Sequence, residues 1–244
     1  MKKTTLNAEE VNQFDALAHE WWDETGPMKP LHMLNPKRIE HLKAQICTHF
    51  DKDFCSANAL KGLDIIDVGC GAGLVTEPLS RLGANVTGLD AAENSIKVAE
   101  KHAKDNGLNI SYMNDVAENL ASKRKKYDVV LALEIVEHVE DVPLFLDSCA
   151  KLLKKDGLLV VSTLNRNAKS FLMGIIGAEY IMRWLPRGTH DWNKFLKPSE
   201  IAQYLEPTGL KPTDITGLIY NPITKSFSLS KSDLDVNYFM SFIN

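Results

Sequence analysis

The stretch Leu63-Asp64-Ile65-Ile66-Asp67-Val68-Gly69-Cys70-Gly71-Ala72-Gly73 decides the fold. Its first half is a short run rich in β-branched residues, the signature of a buried strand. Its second half sets glycines at alternate positions, and an apolar helical spacing follows at Leu74, Val75, Leu79 and Leu82. A strand, a glycine turn and a helix start make a ligand cradle. Without a Cβ the chain turns sharply, and a bound group can approach the main chain.

Working outward, strands are expected at 63–68, 85–89, 109–114, 127–133 and 158–163. Helices are expected between them at 73–83, 91–106, 117–123 and 141–154. That alternation predicts an α/β fold, a mostly parallel sheet with helices on both faces. Ligands bind such sheets at the carboxyl ends of the strands. Asp67, Gly69, Asp90, Asn114-Asp115 and Leu133-Glu134 all fall at those ends.

The glycine pattern narrows the ligand. A dinucleotide fingerprint needs G-x-G-x-x-G, but here the third glycine, Gly73, comes one position early. A Walker loop needs Gly-Lys-Ser/Thr, which is absent. The D-x-G-x-G-x-G turn at Asp67, Gly69, Gly71 and Gly73 resembles the first motif of Rossmann-like S-adenosylmethionine-dependent methyltransferases. Asp90 ends the next strand seventeen residues after Gly73, near the distance at which an acid meets ribose hydroxyls. A helix N-cap is the competing role for Asp90, and also for Asp115, which is otherwise placed near an adenine edge. A nicotinamide oxidoreductase remains the rival enzyme class at this point.

The chain has 244 residues and a net charge of −4, mixed along its length. That suffices for one large α/β domain and shows no basic face for nucleic acid. No apolar run reaches membrane-spanning length, and the first residues lack the apolar core of a signal peptide. Cys47, Cys55, Cys70 and Cys149 have no C-x-x-C spacing, so structural zinc and a disulfide framework are not expected and a reducing cytoplasm fits. The domain divides into an N-terminal helical region (1–60), the cofactor-binding core (61–165), an apolar insert or lid (166–197) and a closing helix with strands (198–244).

At the N-terminus, 8–24 reads as an amphipathic helix, either packed on the core or lying over the site. Asn35-Pro36 then reads as the start of a helix from Lys37 to about His49. Arg38 falls in its first turn, where a positive charge opposes the helix dipole, a mild hint that it serves a carboxylate. Residues 170–185 are strongly apolar but too short to span a bilayer, which suits a buried helix, an interfacial helix or a lid over a greasy substrate. At the C-terminus, 198–208 reads as a helix, and strands near 210–218 and 225–230 form a hairpin about Asn221-Pro222.

Glu134, Glu137 and His138 are spaced i, i+3 and i+4, one face of a helical turn. Two carboxylates and an imidazole there suit Mg²⁺, Mn²⁺ or Zn²⁺, or a general base without metal; His190, beside Asp191, is a second candidate base.

With these pieces placed, nearly the whole chain resembles the ubiquinone-biosynthesis O-methyltransferases, the 3-demethylubiquinol 3-O-methyltransferase family. The resemblance rests on Trp21-Trp22-Asp23, Lys29-Pro30-Leu31-His32, Asn35-Pro36-Lys37-Arg38, Asp67-Val68-Gly69-Cys70-Gly71, Glu137-His138-Val139, Ser162 to Asn167, Gly177 to Ile181, Gly188 to Asp191 and Tyr220 to Thr224. It implies methylation of phenolic hydroxyls on polyprenylated intermediates at both O-methylation steps. It implies cofactor contacts at Arg38, Gly69, Asp90 and Leu133, and divalent-metal ligation by Glu134, Glu137 and His138. Leu133 departs from the Met or Ser familiar there. A prenylated substrate gives the apolar segment a reason, a peripheral contact through about 168–187 with the inner face of the membrane, and other ubiquinone-biosynthesis proteins are conceivable partners. The alternatives are another catechol or lipid as methyl acceptor, or a non-catalytic lipid-binding member of a biosynthetic complex.

Overall fold

The computed structural model describes residues 4–123, 125–171 and 191–244. His190, Gly188-Thr189 and most of the apolar segment expected at 168–187 lie outside the described residues.

Eight described strands form one sheet: β1 (Asp64–Val68), β2 (Asn85–Asp90), β3 (Ser111–Asn114), β4 (Tyr127–Leu133), β5 (Leu153–Leu164), β6 (Lys211–Asn221), β7 (Ser226–Ser230) and β8 (Asn237–Ile243). The spatial order is β3-β2-β1-β4-β5-β8-β6-β7. β1 to β5 pair in parallel, while β5–β8, β8–β6 and β6–β7 pair antiparallel. The order turns back at β1, between β2 and β4, which is where open α/β sheets bind ligands.

The helices are α1 (Ala8–Ala16), α2 (Lys29–His49), α3 (Thr76–Arg81), α4 (Glu93–Asp105), α5 (Ala117–Ser122), α6 (Val142–Lys151), the single turn α7 (Ala168–Ser170) and α8 (Pro198–Leu205). The central strands send neighbouring residues to opposite faces, as period two requires. Ile66, Val130 and Leu159 join a cluster with Phe145, Leu146 and Leu205. Ile65, Val129 and Leu158 join another with Leu42, Ile46 and Leu79. Helices therefore cover both faces, as the alternation predicts.

Four expectations change. The 8–24 helix stops at Ala16, and a 3-10 turn at Ala18–Glu20 follows. α2 begins at Lys29 instead of Lys37, with Pro30 in its first turn and Pro36 inside it. Both prolines satisfy the local start rule; the earlier one prevails because it lets Leu34, Arg38, Leu42 and Ile46 bury one long face. Arg38 is thus mid-helix, so the dipole argument for it fails although the residue reaches the site. The C-terminal hairpin closes the sheet, but through a further, unexpected strand, β8, that inserts between it and β5. The run Asn237-Tyr238-Phe239-Met240-Ser241-Phe242-Ile243 carries the aromatic strand signal that would have announced it. Finally, β5 begins at Leu153 instead of 158, taking 153–154 from the end of the expected 141–154 helix.

Candidate active site

β1 ends in a loop whose three glycines all need left-handed backbone: Gly69, Gly71 and Gly73 have φ of +79°, +52° and +95°. The loop is tied to the end of β2. Gly69 N–H donates to the Leu89 carbonyl (2.7 Å), and Gly71 N–H donates to Asp90 Oδ2 (2.8 Å). Asp90 Oδ1 accepts from Ala92 N–H (2.8 Å). Asp90 is not the N-cap of α4, a position held by Ala92. Its carboxylate fixes the loop, and it lines a cavity of about 110 Å³ beside Gly71, Ala91 and Ser95. Burial pushes its carboxyl up, against the pull of the three backbone N–H groups.

Asp115 lines the same cavity, but its oxygens are engaged locally by Val116 N–H, Asn119 and Lys123. Gly73 lines neither this cavity nor the next. Tyr112 Oη would stand 2.5 Å from a Cβ there, so its glycine serves the turn and the packing.

A second cavity, about 300 Å³, adjoins the first, and both are lined by Gly69, Glu134, His138, Phe14 and Trp21. Its polar end holds Arg38, Asp67 and Glu137, and Leu133 closes the end of β4. Arg38 is 4% exposed, yet its Nε and Nη2 have no hydrogen-bond partner. Its nearest carboxylate is Glu134, at 3.9 Å. Asp67 is 2% exposed with Oδ2 unpartnered. Burial pushes Asp67 up to about 7, against the Arg38 charge. A buried guanidinium with orphaned N–H groups is costly alone and suits an anionic ligand.

The helical spacing of Glu134, Glu137 and His138 is not realised. Glu134 has φ +52° and stands outside the helical turn, which covers only Val136–His138. The three side chains diverge. Glu134 accepts from Ser162 Oγ (2.7 Å) and Asn237 Nδ2 (3.1 Å). Glu137 accepts from Thr163 Oγ1 (2.8 Å), and His138 Nδ1 meets Glu10 Oε2 (3.0 Å). Among the described residues no cluster of three His, Cys, Asp or Glu is set to hold a metal ion. The expected metal triad is not assembled in this structure: its donors are hydrogen-bonded to separate protein partners.

Sequence reasoning missed the partner of His138. Glu10, on α1, also accepts from Lys194 Nζ (2.8 Å), and the His138 hydrogen bond draws its carboxyl down to about 2. Burial disfavours a charged His138, but Glu10 and the nearby carboxylates of Glu137 and Glu134 outweigh it and raise its pKa. Glu10 is 128 residues from His138, and no local signal joins them. α1 and the segment after it lie over the site. Trp21 rests on Gly71, and Trp22 Nε1 donates to the Ala72 carbonyl (3.1 Å) while stacking on His102.

A methyltransferase-domain family matches residues 39–215. The magnesium protoporphyrin IX methyltransferase of Synechocystis, solved with bound S-adenosylmethionine, superposes with a TM-score of 0.63 at 17% identity, over 99% of this chain and 100% of that one. An S-adenosylmethionine-dependent methyltransferase from Clostridium acetobutylicum gives 0.63 at 15% identity, over 95% and 99%. The fold is that of the class I S-adenosylmethionine-dependent methyltransferases. The ubiquinone biosynthesis O-methyltransferase of Roseobacter denitrificans is 52% identical over 97% of this chain and 95% of its own length. That of Bartonella bacilliformis is 50% identical over 98% and 96%. The chain belongs to the ubiquinone biosynthesis O-methyltransferase family.

Proposed function

We propose that the protein methylates phenolic hydroxyls of polyprenylated ubiquinone precursors at both O-methylation steps, with S-adenosylmethionine bound across the glycine loop. The observation that carries this reading is the pair of adjoining cavities. One is lined by the glycine loop and Asp90, and the other is largely apolar; Gly69, Glu134 and His138 line both.

Asp90 accepts the ribose hydroxyls, since each of its oxygens has a lone pair beyond the one given to a backbone N–H. Asp115 borders the adenine end. Arg38 receives the amino-acid carboxylate with its unpartnered N–H groups, and Asp67 and Leu133 wall that end. When bound, the cofactor supplies a sulfonium methyl for in-line displacement by the phenol oxygen. A phenol has pKa about 10 and is hardly ionised near neutrality. His138 takes its proton. With Nδ1–H donated to ionised Glu10, the lone pair lies on Nε2. The apolar walls exclude water, so the aligned oxygen meets the methyl without competition. A peripheral hold on the cytoplasmic face of the membrane belongs to the same proposal. No described helix is long and apolar enough to cross one.

The test is methyl transfer from labelled S-adenosylmethionine to a short-tailed demethylubiquinol, with and without EDTA. Turnover indifferent to EDTA is expected. No transfer despite cofactor binding would remove the proposed substrate, and turnover abolished by EDTA and restored by Mg²⁺ would replace His138 with a metal.

A further inference from the structure

We propose that the apolar end of the larger cavity, between the first turns of α2 and the β6–β7 hairpin, holds the first isoprene units of the prenylated phenol. This rests on the methyl-transfer function proposed above.

The cavity changes character along its length. Near β1 and β4 it carries Arg38, Asp67, Glu134 and His138; elsewhere its walls include Leu31, Leu34, Leu218, Tyr220 and Phe227, with Lys169 and Asp233, paired to each other, the charged groups there. Leu31, Leu34 and Arg38 are spaced i, i+3 and i+7, one face of α2. That face passes from guanidinium to hydrocarbon over two turns, about 10 Å. Opposite it, Leu218 and Tyr220 share one face of β6. Phe227 is the cross-strand partner of Tyr220, with the rings 5.0 Å apart.

The wall is anchored. Leu34 and Leu218 are buried in one core cluster, and Leu31 and Phe227 pack against it. From β4, where the diphenol ring must meet His138, the sheet steps through β5 and β8 to β6. Three strand spacings make about 14 Å. A single ring is too short to fill that length, and these apolar side chains have few groups to hold a polar ligand. An extended hydrocarbon fits both the length and the chemistry. The hairpin continues the track outward. Leu218 is 3% exposed, Tyr220 is half-buried, and Ile223, at the turn, is 90% exposed. The tail therefore leaves along β6 and over the hairpin.

The experiment compares kcat/KM for a diphenol bearing two isoprene units with that for the same ring without a tail. Each buried methylene contributes about fourfold in affinity, so the protein should prefer the prenylated ring by about tenfold or more. Leu31→Trp, which fills the cleft, should reduce that preference about tenfold, chiefly through KM. Phe227→Ala, at a half-buried site, should reduce it about threefold. Preference unchanged in both variants, or absent from the parent protein, overturns the proposal. Should neither ring accept a methyl, the proposed function falls by itself. Calorimetric titration with the two rings then still decides: equal affinities overturn the tail site, and tighter binding of the prenylated ring, lost in Leu31→Trp, supports it.

Discussion

In the parallel half of the sheet, β3 to β5, the ligand-facing edge is made largely of backbone. Gly69 and Gly71 hold left-handed turns there, and the Leu89 carbonyl and the Asp90 carboxylate accept their N–H groups at the end of β2. In the antiparallel half, β8-β6-β7, the edge is made of side chains from distant parts of the chain. Asn237 holds Glu134, and Leu218 and Phe227 face α2. A backbone site is rigid and demands particular residues at particular spacings. A side-chain site can be assembled from many sequences. On the proposed function, the first half holds the cofactor and the second meets the methyl acceptor.

The sharpest way to break the comparison is to give the backbone half a side chain. Gly71→Val places a β-branched residue at φ +52°, and its Cβ collides with the Trp21 ring. Strain and displacement together should cost about 3 kcal/mol of native stability, or roughly 6–12 °C in Tm. Binding of S-adenosylhomocysteine by calorimetry should fall more than about a hundredfold. A bound cofactor of near-parental affinity would show that the loop is not the cradle.

Arg38→Met separates binding from folding at the joint between the halves. The guanidinium is buried, its Nε and Nη2 lack hydrogen bonds, and its desolvation outweighs the pull of Glu134, Asp67 and Glu137, so an apolar side chain of similar length costs little there. On the proposed binding mode the cofactor carboxylate, by contrast, loses a charged partner, about 2–3 kcal/mol or roughly 30- to 150-fold in Kd. Thermal unfolding without ligand should move by no more than about 3 °C. Equal losses in both measurements would make Arg38 a structural residue.

The sequence was legible where chemistry is local. β1, the glycine spacing and Asp90 stand where their pattern puts them, because φ > 0 and a strand-end acid leave few alternatives. Pattern failed where tertiary packing chose between equal local options. Pro30 and Pro36 both announce a helix start, and only the buried face of α2 decides between them. It failed again at Glu134, whose left-handed φ breaks the helical spacing that made Glu134, Glu137 and His138 look like one donor set. Glu10 was out of reach altogether, since its partner His138 lies 128 residues away and no periodicity encodes the pair.

Glu10→Gln is the mildest perturbation and the most informative about that pair. Gln keeps an oxygen for His138 Nδ1–H and removes only the charge. In the parent, Glu10 holds an acceptor 3.0 Å from the ring, and the surrounding carboxylates raise the His138 pKa above its usual 6.5 despite burial. As a base His138 works only when neutral, so kcat/KM should climb as pH rises through that raised value. Removing the Glu10 charge lowers the pKa, so the rising limb must move to lower pH, while the plateau falls by no more than about tenfold because the imidazole is still oriented. Loss of a structural contact alone would depress the whole profile without moving its limb. A limb that stays in place, or moves to higher pH, would take the proton from His138 and give it to another group.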